Sequence, residues 1–247
     1  MDTLLLLPGL DGTGRLFSRL IPELEGHFNL LSIAYPSDRI LGAEAAVAYI
    51  QDRIPERVRY AIVAESFSGP LAIEFAARRP PGLLAIILVA TFVSPPLGWL
   101  LRALLRAFAP LVAAILLRPS AWAMTYWLSG GEASLNQDIS AALASVKANV
   151  IVARLQALCR VDARESLSRC EIPILYLAGD RDRLVDPRYG REIARLGCNV
   201  TLGGLPAPHL VLQSQPRLAA KAIRRFLSSL TPSPSEPPGN GPPGLAP

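Results

Sequence analysis

Short runs of almost unbroken apolar residues alternate along the chain with segments whose apolar positions recur at helical spacing. Residues 3–7, 29–34, 59–64, 83–90, 172–178 and 199–203 are of strand length and bounded by Gly, Pro or polar clusters, the pattern of strands buried on both faces. Between them, residues 43–54, 67–79, 187–196 and 215–230 carry helical patterns, with Ala46, Val47, Ile50 and Ile54 on one face of the first. Strand-helix alternation of this kind predicts an α/β fold with a mostly parallel sheet flanked by helices. From Ser94 to about Arg169 the rhythm breaks, and helical stretches at 97–108, 110–117, 121–128 and 137–159 replace strands. Pro110 suits the first turn of a new helix and divides the apolar 100–117 stretch in two. The expected organisation is a core of 1–93 and 170–230, a helical cap at 94–169, and a tail at 231–247. The tail holds 7 Pro and 3 Gly in 17 residues and is expected to be disordered or polyproline-like.

Composition narrows the class. The chain has 247 residues, 51% of them hydrophobic, which suits one sizeable core and excludes disorder, collagen and disulfide scaffolds. No stretch of about 18 uncharged apolar residues occurs, the longest candidate running from Ala107 to Leu117 between Arg106 and Arg118. Asp2 stands where a secretory signal wants a base, and Pro8-Gly9 stops the early leucine run short of the about 7 to 15 residues of an apolar signal core. A cytoplasmic protein is expected. The net charge of +5 comes from bases scattered over the chain, with no stripe to track phosphates, so no nucleic-acid partner is expected. Cys159, Cys170 and Cys198 have neither CxxC nor Cys/His spacing and read as free thiols, so no metal site and no cofactor is expected.

The strongest chemical signal is Tyr60-Ala61-Ile62-Val63-Ala64-Glu65-Ser66-Phe67-Ser68-Gly69, an apolar strand running directly into a serine and then a helix. A serine on such a sharp turn sits in strained backbone, so the residues two before and two after it must be small, here Ala64 and Ser68 rather than two glycines. The competing explanation is an ordinary strand-helix turn with a capping serine. A serine nucleophile needs a base, an acid to orient it, and donors for the oxyanion. Of the two histidines, His209 follows the last strand, whereas His27 lies in an early polar turn. Gly179-Asp180-Arg181-Asp182 and Asp186-Pro187 place carboxylates after a buried strand, Asp186 fitting a helix N-cap.

This ordered set resembles the α/β-hydrolase family over nearly all of residues 3–230. The family's small-x-nucleophile-x-small elbow matches Ser66, its Gly-x-x-Asp turn matches Gly179 to Asp182, and its late histidine matches His209. The resemblance implies Ser66 as nucleophile, His209 as general base then acid, and Asp182 as the group orienting the imidazole, with Asp180 as the rival acid. It also makes Pro8-Gly9-Leu10-Asp11-Gly12-Thr13-Gly14 an oxyanion loop, with Leu10 N–H and Phe67 N–H as donors. A dinucleotide loop is the alternative for these glycines, but the Gly-x-x-Gly-x-Gly order is reversed from the fingerprint. The family's usual first two strands are expected to be absent, leaving an exposed sheet edge that a second subunit could cover in a homo-oligomer.

The resemblance implies a carboxylesterase or lipase-like serine hydrolase cleaving carboxylic esters, or thioesters, of apolar acyl groups through an acyl-enzyme. An acyltransferase using the same triad is the nearest alternative, and a non-catalytic binding protein on the same fold is another. The apolar 97–117 segment suits an acyl pocket, or contact with lipid or a membrane surface through the cap.

Overall fold

The computed structural model describes residues 2–96 and 128–230, together with Phe108, Leu111 and Ala114. The stretches expected to be helical at 97–108, 110–117 and 121–128, and the tail at 231–247, lie outside the described residues apart from these few positions. Six strands, β1 (Thr3–Leu7), β2 (Asn29–Ser32), β3 (Tyr60–Glu65), β4 (Leu83–Val89), β5 (Ile174–Gly179) and β6 (Val200–Leu205), form one sheet. Their order is β2-β1-β3-β4-β5-β6, and every neighbouring pair is parallel. All six coincide with the apolar runs, their ends shifted by a residue or two. The sheet is open, with β2 and β6 at its half-exposed edges.

Alternation along the strands sorts their side chains into two layers of core. Leu5, Leu7, Ile62, Ala64, Ile86, Leu88, Ile174 and Tyr176 face one side. There they meet α2 (Ala43–Gln51), α3 (Ser68–Ala77), α6 (Arg164–Ser168) and α7 (Arg188–Leu196). Leu4, Leu6, Ala61, Val63, Ile87, Val89 and Leu177 face the other, against a 3₁₀ turn at Arg15–Arg19, α1 (Ile21–Leu24), α8 (Val211–Ser214) and α9 (Pro216–Leu230). Both faces are covered, which is why the strands read as continuous apolar runs rather than as an alternating pattern.

Between β4 and β5 lie α4 (Ala133–Ala144), α5 (Ala148–Leu158) and then α6. The periodicity predicts one helix over 137–159, whereas the structure has two, bent by 104° at Ser145 to Lys147. Ser145 Oγ donates back to Ala142 O at 2.7 Å, and Lys147 N–H leaves the helical ladder for Ser37 O at 2.9 Å. No Gly or Pro marks this break, so hydrophobic spacing runs through it. Helices α4 and α5 bury Leu135, Ile139, Ile151 and Leu155, and the bend between them Val146, in a third cluster with Leu16 and Leu210, and Leu10 packs against it. Among the described residues no single helix is long and apolar enough to cross a membrane.

The chain leaves β1 for β2 on one side and returns through β3 on the other, so the loops after β1 and β3 diverge. Adjacent strands ending together with diverging loops form a crevice at the carboxyl edge, the usual ligand position in such sheets. Leu7 at the end of β1 is paired with Ala64, two residues before Ser66.

Ile62 lies in the middle of the sheet and is fully buried, whereas Leu202 on edge strand β6 is 50% exposed. Urea unfolding should therefore show Ile62→Ala losing about 2 to 5 kcal/mol, and Leu202→Ala changing stability by no more than about 0.5 kcal/mol.

Candidate active site

Ser66 occupies the turn between β3 and α3 with φ 47°, the left-handed region that costs a side chain about 1 to 2 kcal/mol. Neighbouring β4 and the residues just after it hold it there: Ser66 N–H donates to Val89 O at 2.9 Å, and Thr91 Oγ1 donates to Ser66 O at 2.6 Å. Ser68, standing where a glycine is usual in the elbow, has its side chain fully buried and put to use. Its hydroxyl donates to Pro8 O and shares a 2.7 Å hydrogen bond with Tyr35 Oη, fastening the elbow to the loop after β1.

His209 lies in the loop after β6 and is 4% exposed; its Nε2 is 3.1 Å from Ser66 Oγ and its Nδ1 is 2.9 Å from Asp182 Oδ2. The Asp182 side chain is 2% exposed, and its other oxygen accepts the N–H groups of Leu184 and Val185 at 2.8 and 2.9 Å. These bonds fix the carboxylate so that one oxygen is aimed at the imidazole. Gly179 makes the approach possible, because a Cβ there would stand 2.5 Å from the carbonyl oxygens of Ala207 and Pro208 in the histidine loop. Asp180, the rival acid, is exposed beside Arg181, and Asp186 accepts the N–H of Arg188 at the start of α7. His27 is exposed and meets Arg224 of α9, away from this site.

The loop after β1 forms the opposite wall. Gly12 N–H donates to Gly9 O at 3.1 Å, closing a four-residue turn around Leu10 and Asp11. Asp11 accepts the N–H and hydroxyl of Thr13, and Tyr35 N–H donates to Gly12 O at 2.7 Å. A Cβ on Gly9 would be 3.9 Å from Ser66 Cβ, so the loop runs beside the serine. Among the described residues neither Leu10 N–H nor Phe67 N–H has a protein acceptor, and Phe67 sits at the N-terminus of α3, where amides point outward unpaired. Arg154 of α5, not singled out from sequence, donates to Leu10 O, Asp11 O and Pro36 O. Its signal was a base on the buried face of an otherwise apolar helix, beside Val150, Ile151 and Leu155.

Glu65, immediately before Ser66, is 2% exposed. Its Oε2 accepts Gln213 Nε2 at 3.1 Å, while Glu65 Oε1 and Gln213 Oε1 are buried without partners. Burial pushes the Glu65 carboxyl up to about 7, with Asp11 adding to the rise and Gln213 and His209 opposing it. The protonated acid has a donor that the carboxylate lacks, and Oε1 of Gln213, whose amide nitrogen already bonds the carboxyl, lacks one.

The sequence model of the Hydrolase_4 family, serine aminopeptidase S33, matches residues 34–198, more than half of the chain. The chain belongs to that family. This member of the Hydrolase_4 family is thus an enzyme of the α/β-hydrolase type. Solved structures similar to it include an esterase from Thermogutta terrifontis, at 20% identity over 93% of this chain and 90% of that one, with a TM-score of 0.81. A hydrolase from Oleispira antarctica is 17% identical over 92% and 91% of the two chains, with a TM-score of 0.76. An enol-lactonase from Burkholderia xenovorans LB400 is 16% identical over 92% and 91%, with a TM-score of 0.72. At these identities the likeness is one of fold. No curated protein sequence matches the chain.

The raised Glu65 carboxyl makes stability depend on pH. Between about pH 4.5 and 7 the folded state keeps a proton that the unfolded chain has lost, so stability falls as pH rises through that window. Glu65→Gln removes the effect and supplies a permanent donor. In urea titrations across the window the variant should gain on the wild type with rising pH, levelling at roughly 3 kcal/mol.

Proposed function

We propose that the protein is a serine hydrolase that cleaves carboxylic esters of apolar acyl groups through an acyl-enzyme. The observation that carries this reading is the continuous relay from Ser66 Oγ through His209 to Asp182, at 3.1 and 2.9 Å, in the crevice at the carboxyl edge of the sheet. Ser66 attacks the ester carbonyl while His209 Nε2 takes its proton, and Asp182 holds Nδ1–H and stabilises the imidazolium. The N–H groups of Leu10 and Phe67 meet the tetrahedral oxyanion. Collapse breaks the bond to the alcohol oxygen, which leaves with the proton carried by His209. Water then attacks the acyl-enzyme, giving its proton to His209, and collapse breaks the acyl–Ser66 bond as His209 returns that proton to Ser66 Oγ and the acid leaves.

An apolar acyl group is favoured by the walls. Leu10 beside the serine, Leu210 next to His209, and Leu128, whose carbonyl accepts Leu210 N–H, all belong to the apolar cluster of α4 and α5. On the other side Phe67, next to Ser66, packs edge-to-face on buried Tyr35, with centroids 6.4 Å apart. Such a lining gains from burying hydrocarbon and offers a charged acyl group little compensation for lost water.

Hydrolysis of p-nitrophenyl esters of increasing acyl length tests the reading. The wild type should turn over, with kcat/KM rising from acetate to longer chains, and Ser66→Ala should lower kcat by at least about 10⁴-fold. Asp182→Asn should lower kcat by about 10⁴-fold with KM little changed, because the imidazole is then held in the wrong tautomer. Activity that survives Ser66→Ala would place the chemistry elsewhere.

A further inference from the structure

Arg154 is 8% exposed, with its guanidinium among backbone carbonyls. Nη1 donates to Asp11 O at 2.6 Å and to Leu10 O at 3.0 Å, and Nη2 donates to Pro36 O at 3.1 Å. Burial lowers the pKa of its guanidinium, partly offset by the Asp11 carboxylate and Tyr35 nearby. Surface ion pairing does not explain a cation in such a place, and three acceptors from two separate loops converge on it.

The contacts fall on the peptides that matter for the oxyanion loop. In the turn closed by Gly12 N–H and Gly9 O, the central peptide is Leu10–Asp11, the unit whose inversion separates the two commonest turn types. Arg154 holds the carbonyl of that peptide, and so selects one orientation of it. Gly12 N–H holds the preceding carbonyl, Gly9 O, and across a planar trans peptide this directs Leu10 N–H the opposite way. Both peptides flanking the Leu10 Cα are therefore fixed. Gly12 leaves room for this arrangement: its φ is +70°, and a Cβ there would lie 2.4 Å from Arg154 Nη1.

We propose that Arg154 is a positioning residue for the hydrolysis, holding the loop after β1 so that Leu10 N–H faces the developing oxyanion. The inference rests on the serine hydrolase reading above. Because Arg154 stands on α5, between β4 and β5, the segment over the sheet takes part in the chemistry through the backbone it braces. The interaction is one that lysine cannot reproduce, since a single ammonium lacks the planar fork that reaches several carbonyls together.

The test measures both catalysis and the loop itself in the full chain. With a p-nitrophenyl ester, Arg154→Ala is expected to lower kcat by about 10²- to 10³-fold, the loss typical of a missing oxyanion donor, with KM within about threefold. Arg154→Lys should recover little of this, and added guanidinium should restore part of the Arg154→Ala rate where ammonium does not. Gly12→Ala should lower kcat similarly, and combining it with Arg154→Ala should cost little more than either alone. Amide hydrogen exchange over residues 9–14 should quicken in Arg154→Ala while β1 and β3 stay protected. If Arg154→Ala fails to fold, Arg154→Lys carries both measurements. An unchanged kcat, or a loss that guanidinium leaves untouched, overturns the proposal. Should the wild type hydrolyse no ester, the reading of function fails separately, and exchange alone decides: unchanged protection of residues 9–14 overturns the bracing role.

Discussion

A serine in left-handed backbone geometry at the end of a buried parallel strand is the constraint to which the surrounding structure answers. That conformation persists only where neighbours over-determine it. Here β4 and the segment just after it grip the peptides on both sides of Ser66, through Val89 O and Thr91 Oγ1. Ser68, two residues on, is tied to Pro8 O and Tyr35. Strain at one residue is thereby spread over three strands and the loops that follow them. It is also what turns the hydroxyl out of the sheet toward His209 rather than into the first turn of α3.

The polar groups around the serine differ in how their burial is offset. Asp182 has two amide donors and the imidazole, so both of its oxygens are hydrogen-bonded. Arg154 has three carbonyls. Glu65 has one amide donor and an oxygen left over, and its burial favours the neutral acid. Burial directly behind the elbow thus favours the neutral form of Glu65, while Asp182, beside the histidine, has a hydrogen-bond donor for each of its oxygens.

Much of this was legible in the residues. Buried parallel strands leave an unbroken apolar signature, so all six strands and the long flanking helices stood out, as did Ser66, Asp182 and His209 in their loops. The four-residue and five-residue elements, α1, α6, α8 and the Arg15–Arg19 turn, are too short to show a period. The bend between α4 and α5 was hidden because Ser145 and Lys147 break the ladder by side-chain and tertiary hydrogen bonds, not by Gly or Pro. Ser68 looked like a departure from the elbow pattern until the Pro8 carbonyl and Tyr35 hydroxyl were seen at its side chain. Arg154 was masked by abundance, one of many arginines in the chain, and only packing separates it from those in water.

The α5 arginine also bears on how freely such enzymes exchange their parts. Segments over an α/β-hydrolase sheet invite grafting, as though specificity could be transplanted and the chemistry left behind. In this protein a transplant would remove the strut from beneath the loop after β1, and the recipient helix would need a guanidinium at the same height and facing the same carbonyls. Divergence of the segment is constrained in the same way: its apolar surface can drift toward new substrates, while one basic position and the glycine opposite it must change together or not at all.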